Sequence, residues 1–332
     1  EFVYFSEWVK SIANLNGIKM PIVGGGSPEQ KQAYDRSYSE VIRKLLDLNP
    51  TLKYQAILID EGQDFDDDYY RLLLKYLDSE TDSLLICYDY AQNLYQRKTS
   101  WRKLGVSARG ARTISLGSVD DQLIRNYRNS YEITAFSKYL YNDRIPDMDE
   151  KDKVGYISRI QGKYEHGSIP FLYLSEDRQD EYTKIVNWVN EILNAHNLSQ
   201  KDFLIIYPGK RVRDFNVEWG LIPQLNKAGH ETTWISENHI TKSRFNVESD
   251  SIKISTIGSA KGMDFEACAV VACDCINSEK PEVDLYISAT RARKHLLFTT
   301  GGRNHTVTNI LESSHSNLVD HLEENHINDS VG

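Results

Sequence analysis

Two adjacent carboxylates, Asp60 and Glu61, close the apolar run in Tyr54-Gln-Ala-Ile-Leu-Ile-Asp-Glu-Gly-Gln-Asp64. Ile57, Leu58 and Ile59 read as a buried parallel strand, with the acids where it emerges. In open α/β sheets ligands gather at the carboxyl ends of strands. A carboxylate pair there suits Mg²⁺-assisted phosphoryl chemistry. One acid helps to hold the metal, directly or through its water shell, and the other orients or deprotonates an attacking water. Taken alone, the same pattern also describes a strand that runs into an acidic turn.

Four further blocks carry groups of matching chemistry. Leu84-Leu-Ile-Cys-Tyr-Asp-Tyr-Ala-Gln-Asn-Leu-Tyr95 is a second apolar strand ending in polar side chains. If the two strands neighbour each other, Asp89 and Gln92 emerge beside Asp60 and Glu61, and an amide there can report whether a terminal phosphate is present. Leu123-Ile-Arg-Asn-Tyr-Arg-Asn-Ser130 pairs a flat ring with a planar cation: Tyr127 can stack on a base and Arg128 can clamp a phosphate. Ile254-Ser-Thr-Ile-Gly-Ser-Ala-Lys-Gly-Met-Asp-Phe265 is a strand entering a small-residue loop, where Gly262 lets backbone approach a ligand. Leu285-Tyr-Ile-Ser-Ala-Thr-Arg-Ala-Arg293 sets Arg291 on or just beyond a helix, available to developing phosphate charge. Any one of these arginines, taken singly, also reads as ordinary surface charge.

In this order and spacing the five blocks resemble motifs II through VI of the UvrD/Rep-type superfamily 1 helicases, over roughly residues 54–300. DEGQD resembles the Walker B motif, YDYAQNLY motif III, IRNYR motif IV, STIGSAKGMDF motif V and YISATRAR motif VI. The resemblance implies an α/β fold of two RecA-like P-loop NTPase lobes with parallel sheets. Residues 1–115 would be a truncated first lobe and 116–332 a second lobe. It also implies ATP and Mg²⁺ as cofactors and single-stranded DNA, less readily RNA, as partner. On matching positions, Asp60 and Glu61 would serve the metal and the hydrolytic water, and Gln92 would sense the terminal phosphate. Tyr127 would stack on adenine, Arg128 would meet the γ-phosphate, and Asp264, with Gly262 beside it, would reach the ribose. Arg291 would be the arginine finger, a device worth about 10³–10⁵ in rate. Tyr95, Arg97, Lys98, Trp101, Arg102 and Thr256 would face DNA, with Trp101 as a stacking surface among cations.

The departures from that pattern are specific. No G-x-x-x-x-G-K-[ST] occurs, and Gly24-Gly-Gly26 is not followed by Lys-Ser/Thr, so the phosphate cradle is missing from this sequence. Gly258 stands where motif V usually has histidine, Asp264 replaces the commoner glutamate, and Tyr95-Gln-Arg-Lys98 replaces an aromatic-rich continuation of motif III. The interval between motifs IV and V is too short for a large accessory subdomain. The chain opens on Glu1 in mid-pattern. The expectation is therefore the C-terminal motor portion of an ATP-dependent DNA helicase or translocase. Its partner would be an upstream, Walker A-containing part of the same parent. The competing expectation is a helicase-derived module that binds DNA or protein without hydrolysis.

The elements that must position these groups follow from pattern. A helix is expected within 2–14, a polar helix at 28–48, strand 54–60, a helix near 68–77 and strand 84–88. After a helix at 129–142 and an acidic, turn-rich stretch, strands are expected at 171–174, 203–207, 232–235, 252–256, 269–273 and 295–299. Helices at 178–195, near 217–228 and at 282–292 alternate with them, the signature of a parallel sheet covered on both faces. The polar tail after Gly302 reads as a short helix and a frayed end.

Composition agrees with a globular chain: 332 residues, 40% apolar and 26% charged. No apolar run approaches a membrane span and no signal peptide is present in this sequence. Cys87, Cys268, Cys273 and Cys275 lack a second pair at metal-ligand spacing, which argues against zinc and for a reduced, cytoplasmic setting. The net charge of −9 excludes a uniformly basic nucleic-acid coat but not a local groove, because steering depends on where the cations sit. Two basic clusters are candidates for it, Arg97–Arg112 and Lys210–Arg213.

Overall fold

The computed structural model describes residues 2–22, 28–89, 92, 104–105, 128–141, 165–209, 214–237, 245–301 and 305–331. Tyr95, Arg97, Lys98, Trp101, Arg102, Tyr127 and the Lys210–Arg213 cluster lie outside the described residues. By compactness the chain divides into Glu1–Ser115 and Leu116–Gly332, and each unit has its own core.

The first unit holds helices α1 (Phe5–Leu15) and α2 (Pro28–Asp47), strand β1 (Ala56–Ile59), helix α3 (Asp67–Tyr76) and strand β2 (Ser83–Ile86). β1 and β2 run parallel in register, Ile59 beside Ile86. Asp66 starts α3 by accepting a bond from the Tyr69 N–H, the usual way a carboxylate satisfies an orphan donor of a first turn. Trp8, Val9 and Ile12 of α1, Ile42 and Leu45 of α2, Ile59 of β1, and Tyr70, Leu72 and Tyr76 of α3 close one core. That core covers a single face of the two-stranded sheet. Leu58 is 72% exposed and Leu85 48%, so the expectation of a strand buried on both faces is corrected. Strand side chains alternate between faces, and nothing among the described residues packs against the Leu58 side.

The second unit is built differently. After α4 (Tyr131–Tyr141) come β3 (Phe171–Leu174), α5 (Arg178–His196), β4 (Phe203–Tyr207), α6 (Leu221–Lys227), β5 (Thr232–Trp234) and β6 (Ile252–Thr256). β7 (Phe265–Val270), α7 (Pro281–Ala289), β8 (Ala292–Thr300) and α8 (His305–Val331) complete it. Six strands form one all-parallel sheet in the order β3-β8-β7-β4-β6-β5. Phe203, Ile205, Ile254, Ala267, Ala269 and Leu297 pack with Ile185, Val189 and Trp188 of α5. Their strand neighbours Leu204, Ile206, Cys268 and Phe298 turn the other way and are equally buried, with Phe136 of α4 against Phe298 at 5.7 Å between ring centroids. Both faces of the sheet are therefore covered, which is what continuous apolar strands require.

Several boundaries differ from the sequence expectation. β7 begins at Phe265 rather than near 269, because the run from Phe265 to Cys273 is apolar almost throughout and periodicity cannot choose within it. The strand ends before Ala272, a left-handed residue (φ 57) that opens the short helical turn Cys273–Cys275. α7 stops at Ala289, with Thr290 as its cap, and β8 begins at Ala292, so Arg291 occupies the turn between them. α6 is shortened to Leu221–Lys227 because residues 214–220 fold as a turn, the Gly220 N–H donating to Val217 O at 2.7 Å. The polar tail is a 27-residue helix, α8, rather than a short one. Val307, Leu311 and Leu318 of α8 are buried along one stripe, and Tyr131 Oη of α4 lies 2.7 Å from His321 Nε2. Among the described residues no helix is long and apolar enough to cross a membrane.

Candidate functional site

At the carboxyl end of β1 the chain turns abruptly. Glu61 takes a left-handed backbone conformation (φ 54, ψ 40), uncommon for a residue with a side chain and typical of functional turns. Gly62 follows because nothing larger fits: a Cβ there would stand 2.6 Å from Ile86 Cγ2 and 2.7 Å from Tyr70 Oη. The Gly62 N–H donates to Cys87 O at 2.9 Å, and the Tyr70 hydroxyl donates to Gly62 O at 2.6 Å. This clamps the turn against the end of β2.

The clamp sets up a chain of polar bonds between the two strand ends. Gln63, fully buried, donates from Nε2 to Glu61 Oε2 at 2.5 Å and accepts at Oε1 from the Asp89 N–H at 2.9 Å. Asp89 Oδ2 in turn accepts from Gln92 Nε2 at 2.7 Å. Glu61 and Gln92 are thus brought together through Gln63 and Asp89. The amide of Gln63, a bridge that the sequence reading passed over, was visible only as the fourth letter of DEGQD. Asp60 is exposed beside them, its Oδ1 accepting from the Glu61 N–H at 2.9 Å.

The second cluster lies at the amino ends of β7 and β8. Arg291, in the turn after α7, is 0% exposed. Its Nε donates to Ile287 O at 3.0 Å, Nη1 to Met263 O at 3.1 Å and Nη2 to Thr290 Oγ1 at 3.0 Å. Arg291 stands just beyond the helix, as the sequence suggested, and its guanidinium is enclosed. It pins the loop before β7 to the turn before β8, helped by the Phe265 N–H donating to Arg291 O at 2.9 Å. Asn129, also buried, donates to Thr290 O at 3.1 Å and Ala292 O at 2.5 Å. It thereby docks the Arg128 segment on the same turn, a role with no signal in the sequence beyond the residue's type.

Around this frame sits a network of surface charge. Asp264 receives Arg293 Nε at 2.5 Å and has Arg128 Nε at 3.6 Å. Arg293 Nη1 reaches Glu266 at 3.2 Å, and Lys294 Nζ reaches Glu165 at 2.9 Å. Asp264 and Glu266 raise the pKa of Arg293 by more than its partial burial lowers it. Gly262 is exposed in a left-handed conformation (φ 82) with open space where a side chain would project. Arg128, Gly262, Asp264 and Arg291 therefore share one end of the sheet. Thr256 does not: it ends β6 at the opposite, carboxyl end. There its N–H donates to Ser236 Oγ at 3.1 Å, and its hydroxyl accepts from Ser259 N–H at 3.4 Å, capping a single helical turn.

Neither cluster is a cage for a bare ion. Among the described residues no three or more His, Cys, Asp or Glu side chains stand together as metal ligands. One or two carboxylates at a strand end fit Mg²⁺ that arrives with phosphates and keeps several waters. Asp60 and Glu61 are of that kind. The four cysteines are free: Cys268 and Cys273 are buried, Cys275 is half-buried and Cys87 is exposed.

A buried ionic knot lies at the carboxyl end of β7, at the opposite end of the sheet from the arginine cluster. Arg178 bonds to Glu181, which is fully buried, and to Asp274 at 3.1 Å. Glu181 also accepts from the Ala272 N–H at 2.8 Å and from the Thr299 hydroxyl. Burial raises the Glu181 pKa against the pull of Arg178.

No protein-family model matches the chain, and no curated protein matches it. Among solved structures the chain is similar to the C-terminal domain of a possible DNA helicase from Lactobacillus plantarum WCFS1. The identity is 17% and the TM-score 0.37, over 53% of this chain and 88% of that one. The likeness is distant.

Proposed function

We propose that the chain is the motor portion of an ATP-dependent DNA helicase or translocase of the UvrD/Rep type, its two units being RecA-like lobes. The observation that carries this reading is the bond chain from Glu61 through Gln63 and Asp89 to Gln92. It joins two separate motifs at the ends of neighbouring parallel strands, where phosphate chemistry needs a carboxylate and a sensor together. The first unit supplies Asp60 for Mg²⁺, Glu61 for the water and Gln92 for the terminal phosphate. The second supplies Arg128 and Arg291 for phosphate charge and Asp264, beside Gly262, for the ribose. Tyr127 stacks on adenine. Thr256 and the Tyr95–Arg102 stretch face single-stranded DNA.

Because the sequence has no phosphate-binding loop, the 332 residues alone turn over little ATP. The β- and γ-phosphates would lack their backbone nest and principal lysine. Steady-state hydrolysis with and without single-stranded DNA tests this, and robust DNA-stimulated turnover sinks it. In a polypeptide that also carries such a loop, Glu61→Gln and Arg291→Ala lower kcat far more than they weaken nucleotide binding, since both act on the transition state. Tyr127→Ala does the reverse.

One observation favours a second reading, a module that binds DNA or protein without hydrolysis: Arg291 is fully buried, with Ile287 O, Met263 O and Thr290 Oγ1 among the partners of its guanidinium. If Arg291→Ala leaves kcat within about twofold, far below the effect of an arginine finger, Arg291 is a structural pin and this second reading gains.

A further inference from the structure

The second unit brings two histidines into contact that neither cluster above uses. His295 lies on β8 and His196 in the last turn of α5; their ring centres are 3.9 Å apart, with the planes at 34°. His295 is buried, and its Nδ1 lies 2.6 Å from Ser168 Oγ. The backbone around it is fixed: Ser168 N–H donates to Lys294 O at 2.9 Å, and His295 sits opposite Ala267 in the sheet. His196 is exposed, and Asn197 ends α5 beside it in a left-handed conformation (φ 51). One imidazole is therefore held by the sheet, and the other stands against it at a helix end open to solvent.

We infer that His196 and His295 form a two-imidazole site for a divalent transition-metal ion of the zinc class. Imidazole nitrogen is the donor that Zn²⁺, Cu²⁺ and Ni²⁺ all accept. A ligating histidine is ordinarily oriented by a partner on its other ring nitrogen. The Ser168 hydroxyl stands at Nδ1 of His295, which leaves Nε2 to ligate. An ion at Nε2 selects the tautomer in which Nδ1–H donates to Ser168 Oγ. The carboxyl end of α5 adds to this, because a helix dipole favours positive charge there. Lys294, a cation next to His295 in sequence, is itself paired with Glu165 at 2.9 Å. A tetrahedral ion about 2.0–2.1 Å from each nitrogen holds two ring centres about 5 Å apart, against 3.9 Å here. His196, exposed at its helix end, supplies the difference by swinging outward about 1 Å. Two imidazoles fill half of such a shell and water fills the rest. The bound ion ties the end of α5 to β8. The inference does not rest on the nucleotide reading.

The test is calorimetric titration of the untagged 332-residue chain with Zn²⁺, beside His196→Gln, His295→Gln and Ser168→Ala, each checked for folding by circular dichroism. His196→Gln and His295→Gln weaken Zn²⁺ by about tenfold or more, since each removes one of two ligands. Ser168→Ala weakens it by about 10–100-fold, the usual effect of losing the group that orients a ligand. Zn²⁺ also raises the unfolding midpoint of the unsubstituted chain, as any ligand of the folded state does, and raises it less in His196→Gln. His196→Gln changes an exposed side chain, so it carries the test with Ser168→Ala should His295→Gln fail to fold. Zn²⁺ held equally well by His196→Gln places the ion on other histidines among the nine of the chain and overturns the inference. So does an affinity unchanged in Ser168→Ala, or an unsubstituted chain that takes up no Zn²⁺ at millimolar concentration; the two rings are then a packing contact.

Discussion

In the first unit Glu61 is held at the end of a two-stranded sheet whose Leu58 and Leu85 side chains are exposed, by a left-handed turn and a run of amide and carboxylate hydrogen bonds. In the second, Arg291 is buried in the turn at one end of a six-stranded sheet covered on both faces, bonded to Ile287 O, Met263 O and Thr290 Oγ1, and the opposite end of that sheet carries the buried Arg178–Glu181–Asp274 knot. The difference shows where each unit can tolerate change. A thin sheet with exposed Leu58 and Leu85 contributes little burial energy, so its site depends on local geometry such as the Gly62 wedge. A thick core can enclose ions, and its risk lies in losing one partner of a buried pair. Substitutions in the second unit should therefore unfold the unit, whereas substitutions in the first should shift a turn.

The largest effect expected is at the knot. Arg178→Ala leaves Glu181 buried without its cation and should cost the second unit about 3–5 kcal/mol. Thermal unfolding followed by hydrogen exchange, read unit by unit, checks it. A loss confined to the first unit, or below about 1 kcal/mol, breaks the contrast.

Next comes pH. His295 is buried, its Nδ1 lies 2.6 Å from Ser168 Oγ, and its ring lies 3.9 Å from that of His196. Burial first, then His196 and Lys294, lower its pKa to about 4. The unfolded chain, with the ordinary histidine value, binds that proton more readily. Stability from His295 is thus fully present above about pH 6.5 and falls as pH drops toward 4, by at most about 3 kcal/mol. Urea unfolding between pH 7 and 4 should show the slope in the second unit and lose it in His295→Gln.

A smaller effect is expected in the first unit. Gly62→Ala should cost about 1–3 kcal/mol by overpacking against Ile86 and Tyr70. Relief by the second substitution Ile86→Val would sharpen the assignment to that contact. The smallest is at Glu61 itself. Glu61→Gly and Glu61→Ala both lose the bond to Gln63, but only alanine pays for a left-handed backbone, so the glycine variant should be the more stable by about 1 kcal/mol. Equal midpoints would show that the turn relaxes and stores no strain.

The sequence by itself determined the alternation of strands and helices in the second unit. It also placed Asp60, Glu61 and Gln92 at strand ends and Arg291 beyond a helix, because burial on both faces writes continuous apolar runs and their ends are marked by polar residues. It could not determine that Leu58 of β1 is exposed, since Leu58 reads the same whether or not anything covers it. Nor could it determine that the tail after Gly302 is a long helix, because Val307, Leu311 and Leu318 are a faint stripe in a largely polar stretch until α4 packs on them. Only the tertiary structure decided that Gln63 bridges Glu61 to Asp89, that Asn129 docks Arg128, and that Arg291 is enclosed while Arg293 meets Asp264. Each of those depends on which strand ends become neighbours, and pairing between residues separated by 26 or 161 positions is set by the packing of the whole sheet, not by local pattern.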